Sequence, residues 1–218
     1  MKERPILFNA EMIQAILSGR KTQTRRVIKL PLIDKNMECE LAGNELAGEV
    51  KAGDYRNCLL GQPGDQFWVR EAFRVHSRAT DVATLVYKAS ERNSWTEQTH
   101  RVPVSACDKP VSPERWTPSI HMPRWASRIQ LEITNVGVQR LQDISSDDAV
   151  REGICQLPAS GRYCINPGDQ YFGGASHSAK EVYSWLWESI YGEGSWQANT
   201  WVWVIEFKHL APAGNSHD

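Results

Sequence analysis

The strongest constraint on the fold of this chain is a series of short β-prone runs that alternate with irregular segments rich in glycine and proline. The runs span residues 4–9, 67–73, 83–89, 125–141 and 201–208. Asn135 and Gly137 predict a bend or bulge inside the longest run. Together with helices at its edges, this pattern predicts an α+β fold, a small mixed β-barrel with peripheral helices and loop insertions.

A first helix is predicted directly after the first β-prone run. Asn9 is a suitable N-terminal cap, and Gly19 is a suitable end, because glycine adopts the left-handed conformation at little cost. Between them, apolar residues recur at helical spacing and predict one buried stripe, made of Met12, Ile13, Ile16 and Leu17.

Two more helices are predicted in the second half of the chain. Ser145 followed by Asp148 resembles a capping box, and Gly153 is the expected end of that short helix. The stretch from Ala179 to Gly192 is amphipathic, and we expect its buried side to carry Val182, Trp185, Leu186 and Ile190.

Composition excludes some classes of protein. The formal net charge is -1 and the pI is about 6.6, so any anion-binding surface must be a local patch. We see no signal peptide and no membrane-spanning apolar run, and therefore expect a cytoplasmic protein. The five cysteines are widely spaced and include no CxxC pair, which predicts free thiols and no metal site. We also expect no cofactor.

The stretch GRKTQTRR, residues 19–26, places four cationic side chains and two threonines within eight residues. Such a run after a helix often stays solvated and complements the negative end of the helix dipole. Alternatively, its arginines are suited to two-point contacts with phosphates.

A third interpretation makes the same stretch a catalytic turn. The hydroxyl of Thr24 is a weak nucleophile that needs a nearby base. Lys21 is a suitable base if burial or neighbouring cations such as Arg20 and Arg25 lower its pKa. Because residues three apart point to opposite faces of a regular strand, a shared face for Lys21 and Thr24 requires a bend between them.

The chain resembles the ASCH family of the PUA-like fold. The phrases ILSGRKTQTRR, PGDQFWV, LQDISSDDAVREG and WVWVIEFK occur in the order seen in that family. WVRE and PSIHMPRWASRI further resemble its longer members, which are common in phages and prophages. The resemblance implies one PUA-like domain over residues 1–218, with insertions near 30–58, 75–120 and 155–178, and a cleft for a nucleobase beside the GxKT turn.

One branch of this family hydrolyses N4-acetylcytidine to cytidine and acetate. Its functional set falls on Lys21, Thr24 and Glu152 of this chain, and all three identities are present. The resemblance therefore implies an amidohydrolase in which Thr24 attacks the acetyl carbonyl or positions a water that does so. Lys21 takes the hydroxyl proton, and Glu152 serves the departing amine or recognises the edge of the base. Without the family resemblance, Glu152 reads as an ordinary solvated glutamate.

Five further residues are candidates for substrate binding. Arg20 and Arg26 are possible donors to the oxyanion, and Glu71 is expected beside Arg70 as an ion pair pointing inward or at the surface. Trp125 is the fifth candidate, because its ring is able to stack on a base. Trp116 and His121 share its irregular segment and are also candidates for stacking on a base, but packing of this segment is the simpler role for each of the three.

Two other functions remain open at this stage. PUA-like domains often bind RNA without catalysis, and some ASCH proteins are described as ribonucleases, for which Lys21 and Arg26 would stabilise the phosphate. The near-neutral net charge argues mildly against a long RNA footprint, because affinity for polyanions depends on many cationic contacts. We expect a monomer whose substrate is a nucleoside or RNA and which has no membrane partner.

Overall fold

The fold is described from a computed structural model, for residues 1–166, 168, 171 and 173–210. Its helices are α1 (Ala10–Leu17), α2 (Gly43–Lys51), α3 (Trp95–Gln98), α4 (Ser146–Arg151) and α5 (Ala179–Tyr191). Its strands are β1 (Glu3–Leu7), β2 (Gln23–Val27), β3 (Leu32–Ile33), β4 (Glu40–Leu41), β5 (Gln66–Arg70), β6 (Phe73–Arg78), β7 (Val82–Tyr87), β8 (Thr99–Pro103), β9 (Gln130–Arg140), β10 (Cys155–Gln156), β11 (Tyr163–Cys164), β12 (Ala175–Ser176) and β13 (Trp201–Leu210). Short 3-10 turns link several of them.

The described chain forms two compact units. The first contains 1–17, 66–132 and 209–210, and the second contains 18–65 and 133–208. The α+β class predicted from the sequence is confirmed. No helix in the described ranges is both long and apolar enough to cross a membrane.

The first unit contains two β-sheets. In one, β1 runs parallel to β5, and β5 pairs antiparallel with the first residues of β9. In the other, β7 lies between β6 and β8 in antiparallel register. This second sheet covers a core that includes Phe73, Leu85, Tyr87 and Met122, all of them buried.

The second unit is built on the sheet order β9-β13-β2. Strand β2 is antiparallel to β13, with Gln23 opposite Glu206 and Val27 opposite Val202. Two smaller antiparallel sheets, β3-β4 and β10-β11-β12, complete the strands described in this unit. Residues 167, 169, 170 and 172 of the predicted insertion near 155–178 lie outside the described residues.

The sheets described here do not close into a barrel. Among the described strands, β1 pairs with β5 alone and β2 pairs with β13 alone, so each of them is an edge strand. The expected run 67–73 is also interrupted. Strand β5 ends at Arg70, and β6 begins at Phe73 in another sheet. Glu71 and Ala72, between them, belong to neither strand.

The predicted helices form where their periodicity is clear. Asn9 caps α1 through a 2.8 Å hydrogen bond from the Met12 amide to its Oδ1 atom, and Met12, Ile13 and Ile16 are buried. Leu17 is wrong as a stripe member, because it lies at the exposed end of the helix.

The buried side of α5 also differs from the prediction. Val182 and Leu186 are buried as expected, whereas Trp185 and Ile190 are 36% and 43% exposed. The buried set is Ala179, Val182, Tyr183, Leu186 and Trp187, which follows the i, i+3, i+4, i+7, i+8 spacing of a single helical face.

Helix α2 was not predicted. It carries two glycines, which lower helix propensity, although Leu46 and Val50 are buried at i, i+4 spacing. Gly43 begins this helix against the Trp201 ring, so close that a Cβ atom at this position would overlap the indole. Tertiary packing therefore selects glycine here.

Candidate functional site

The GRKTQTRR segment is held in the second unit by backbone hydrogen bonds on both sides. Gly19 adopts a φ of 75°, and β2 begins four residues later at Gln23. Between them, the Thr22 amide donates to the Arg151 carbonyl at 2.9 Å, and the Thr22 carbonyl accepts from the Phe207 amide at 2.9 Å. These bonds fix the segment between the end of α4 and strand β13.

Lys21 and Glu152 form a buried ion pair. The Lys21 Nζ atom lies 2.7 Å from Glu152 Oε2, and the two side chains are 0% and 2% exposed. The same ammonium donates to the Glu152 backbone carbonyl at 2.8 Å. Glu152 is the C-terminal cap of α4, where backbone carbonyls lack partners within the helix, so the lysine satisfies both a carboxylate and a helix end.

Arg25 holds the other oxygen of the same carboxylate. Its Nη1 atom donates to Glu152 Oε1 at 3.1 Å, and its Nη2 atom donates to Asp148 Oδ2 at 3.3 Å. Gln23 Oε1 accepts from Arg25 Nη1 at 2.5 Å. Gln23 and Arg25 are alternate residues of β2, which places their side chains on one face of the strand.

Lys21, Arg25, Asp148 and Glu152 form a cluster of charged residues that is largely shielded from solvent. The Arg25 side chain is 0% exposed, and its Nε atom is a buried donor without a hydrogen-bond partner within the described part of the chain. Asp148, at 25% side-chain exposure, is its more accessible acidic partner. Glu152 therefore has a fixed position, with one cation on each oxygen.

Burial lowers the pKa of Lys21 below its usual value, and the positive charges of Arg26 and Arg25 act in the same direction. The charge and hydrogen bond of Glu152 oppose this effect. Burial, with the negative charge of Glu152 as the next cause, raises the pKa of Tyr183 well above its usual value. The Tyr183 ring lies 6.0 Å from the Arg25 guanidinium carbon. Lys21 is thus a buried lysine that gives up its proton more readily than an exposed one.

Thr24 is buried in β2 opposite Ile205 of β13. Because successive strand residues point to opposite faces, its side chain is directed away from the face of Gln23 and Arg25. No hydrogen bond of its hydroxyl is found among the described residues. The structure therefore brings Lys21 and Glu152 together, whereas a contact of Thr24 with either stays a prediction.

The two candidate oxyanion donors have different surroundings. Arg20 is exposed and donates to the Ser18 hydroxyl at 3.2 Å and to the Gly153 carbonyl at 3.0 Å. Arg26 is half-buried in β2, in register with Trp203. Strand alternation places Arg26 on the same face of β2 as Thr24.

The partner of Glu71 is Arg128, which sequence reasoning missed. Within the first unit, Arg128 Nε donates to Glu71 Oε1 at 2.8 Å and Nη2 donates to Oε2 at 3.0 Å, a bidentate pair. Burial raises the pKa of Glu71, and Arg128 partly offsets this effect. The expected partner, Arg70, instead lies with its guanidinium carbon 4.7 Å from the Trp68 ring centroid. Arg70 and Glu71 of the WVRE phrase therefore each contact another residue, and they do not form the expected ion pair with each other.

Two further observations concern the candidates in the first unit. Trp125 packs edge-on against Phe73, with ring centroids 6.1 Å apart, which is the packing role weighed for it from the sequence. Glu71 lines a cavity of about 660 Å³ together with Asn9, Gln14 and Asn93. This size is within the range of small-molecule sites. Substrate binding by Glu71 stays a prediction.

Comparisons of the chain with protein-family models, with curated proteins and with solved structures found no match. Within the described ranges, no group of three or more His, Cys, Asp or Glu side chains is arranged to hold a metal ion. The five cysteines are free thiols in this structure.

Proposed function

We propose that this protein is a PUA-like hydrolase of the ASCH type that removes the acetyl group from N4-acetylcytidine or a related acylated nucleobase. The observation that carries the proposal is the buried contact of 2.7 Å between the Lys21 ammonium and the Glu152 carboxylate. Buried ionisable pairs with a shifted pKa are typical of sites for proton transfer. The lowered pKa of Lys21 favours its neutral form, which is the form that accepts a proton.

The reaction consumes one water and breaks one C–N bond. A hydroxyl oxygen, from Thr24 or from a water beside it, bonds to the acetyl carbon while its proton passes to neutral Lys21. The C–N bond then breaks, and the departing exocyclic nitrogen takes a proton from the Lys21–Glu152 pair. If Thr24 is the nucleophile, a water hydrolyses the acetyl ester. The products in both cases are cytidine and acetate.

The direct test measures cytidine released from N4-acetylcytidine by chromatography. We expect Lys21→Ala and Glu152→Gln to lower kcat by about 10²–10⁴-fold, the usual contribution of a general acid or base. Thr24→Val removes the hydroxyl at nearly constant volume, whereas Thr24→Ser keeps it. Loss of activity in the valine variant and retention in the serine variant would assign a role to the Thr24 hydroxyl.

Three matched variants control for surface and folding effects. Lys29→Ala, Thr22→Ala and Asp147→Asn change an exposed lysine, threonine and carboxylate that lie near the site residues in the sequence, so we expect full activity from each. Circular dichroism and melting temperature verify that every variant is folded. A folded wild type that releases no cytidine would contradict the hydrolase, and the RNA-binding and ribonuclease hypotheses would then be tested.

A further inference from the structure

A second cavity, of about 330 Å³, lies within the first unit and has no role in the proposed hydrolysis. Its lining includes Val75 at the floor, Lys109, Arg115 and His121 as basic groups, and the indole of Trp116. The basic residues all come from residues 109–121, a single segment that precedes β9.

Backbone hydrogen bonds hold the walls of this cavity in place. The Ser112 amide donates to the Val75 carbonyl at 2.9 Å, and Thr117 exchanges bonds of 2.8 and 3.2 Å with the backbone of Phe73. The Ser112 hydroxyl bridges to Arg115 through its backbone carbonyl at 3.1 Å and its amide at 3.3 Å. These contacts tie the segment to strand β6, so the cavity is formed before any ligand arrives.

A second set of contacts positions the ring and the lysine. Arg74 lies with its guanidinium carbon 5.1 Å from the Trp116 ring centroid, and its Nη1 atom donates to the Ser112 carbonyl at 3.3 Å. The Arg78 Nη2 atom donates to the Lys109 carbonyl at 2.9 Å. Two arginines of β6 thus fix the backbone that carries the lining residues.

The electrostatics of the lining select an anion. Its charged and titratable members, Lys109, Arg115 and His121, are all basic, and none of its residues, all within the described part of the chain, is acidic. Arg74 adds a further positive charge next to the indole. Phosphate is bound well by such a group of cations, and an indole offers a planar face on which any base can stack.

We propose that this cavity binds one nucleotide unit, with its phosphate at Lys109 and Arg115 and its base on Trp116. The volume is at the lower end of the range for ligand sites, which fits one unit and excludes a longer segment. A nucleotide supplies both an anion and a planar ring, which the two parts of the lining require. The unit is either a free nucleotide or one member of a single strand.

The binding test uses fluorescence anisotropy of a short, end-labelled, single-stranded RNA with the full chain. Two phosphate-contacting cations predict that affinity falls roughly sevenfold between about 50 and 200 mM salt. We expect Arg115→Ala to weaken binding and to leave a salt effect of only about 2.6-fold. Cytidine monophosphate and unlabelled RNA serve as separate competitors. Competition by the mononucleotide assigns a free nucleotide, and competition by RNA alone assigns a strand.

Matched variants separate the cavity from the general surface. Arg115→Glu and Lys109→Glu should abolish binding, whereas Arg101→Glu, an exposed arginine of β8 outside the lining, should not. Trp116→Leu should weaken binding roughly fivefold to a hundredfold, and Trp116→Phe should retain most of it because a ring is kept. Equal binding by wild type and both glutamate variants, or no binding by the folded wild type, would overturn the proposal. These outcomes do not depend on cytidine release, so this proposal and the hydrolase are tested separately.

Discussion

The Glu152→Gln substitution tests the physical description of the site most sharply. It keeps the size of the side chain but removes the negative charge that lies 2.7 Å from Lys21 and 3.1 Å from Arg25. A neutral amide has one oxygen to accept a hydrogen bond, and its NH₂ group must face the other cation, donor against donor. Asp148, which contacts Arg25, is then the remaining carboxylate of the cluster.

The magnitude follows from these distances. At an effective dielectric constant of about 20, each of the two contacts contributes roughly 5–6 kcal/mol of gross attraction, much of which offsets desolvation. Removing one partner of such a buried pair leaves that desolvation uncompensated and costs about 3–5 kcal/mol. This is a large part of the roughly 5–15 kcal/mol that stabilises a typical folded protein.

Urea denaturation at neutral pH measures the effect, with Lys21→Met, Glu152→Gln and the double variant as a thermodynamic cycle. We expect the double variant to be more stable than the sum of the single losses predicts, by about 1–3 kcal/mol, because it removes the unpaired ammonium. Asp147→Asn, an exposed change on the same helix, should stay within about 0.5 kcal/mol of wild type. A Glu152→Gln loss below about 1 kcal/mol, or strict additivity in the cycle, would refute the reasoning.

Three further predictions concern pH and packing. In the folded chain the pKa of Lys21 lies below its usual value of 10.5. At pH values between the folded pKa and 10.5 the unfolded chain therefore binds more protons than the folded chain, and wild-type stability rises with pH across this window. Lys21→Met should flatten this rise in urea titrations, and parallel curves would contradict it. Gly43→Ala should lower stability by about 1–3 kcal/mol, because the added Cβ atom overlaps the Trp201 indole. Gly48→Ala should stabilise α2 by about 0.5–1 kcal/mol, because a Cβ atom there meets nothing within 4 Å. Equal melting temperatures of the two variants would contradict this prediction. Arg128→Met should cost about 3–5 kcal/mol near pH 7 and less near pH 5, because Glu71 then takes up a proton; thermal melts at both pH values check this, and an equal cost would exclude it.

Much of the secondary structure was predictable because its signals are local. The Asn9 cap, the Ser145 cap and the stop at Gly153 each depend on residues within one turn, and the structure contains all three. Helix α2 and strand β8 were missed, since glycines weaken the helix signal, and β8 is a polar edge strand that ends at Pro103. The predicted closed barrel is wrong for the described sheets. Pairing between edge strands depends on contacts between residues far apart in the chain, which the local sequence of a strand does not specify.

The candidate site was partly predictable. Lys21 and Glu152 were selected through the ASCH resemblance, and their direct contact agrees with a shared site. The sequence predicted Arg25 as a neighbour that lowers the pKa of Lys21, but it did not predict the ion pair of Arg25 with Glu152. Asp148 was recognised for its capping position, where the Ser145 hydroxyl accepts from its amide, and its carboxylate additionally binds Arg25.

The sequence by itself determined the helix caps, the β-prone runs and the concentration of charge in GRKTQTRR, because these features depend on neighbours in the chain. Tertiary structure decided which charges meet. Lys21 pairs with a glutamate 131 positions away, and Arg128 pairs with one 57 positions away. Burial then sets the pKa of Lys21 and of Glu71, because desolvation depends on the atoms that surround a group and not on its place in the sequence.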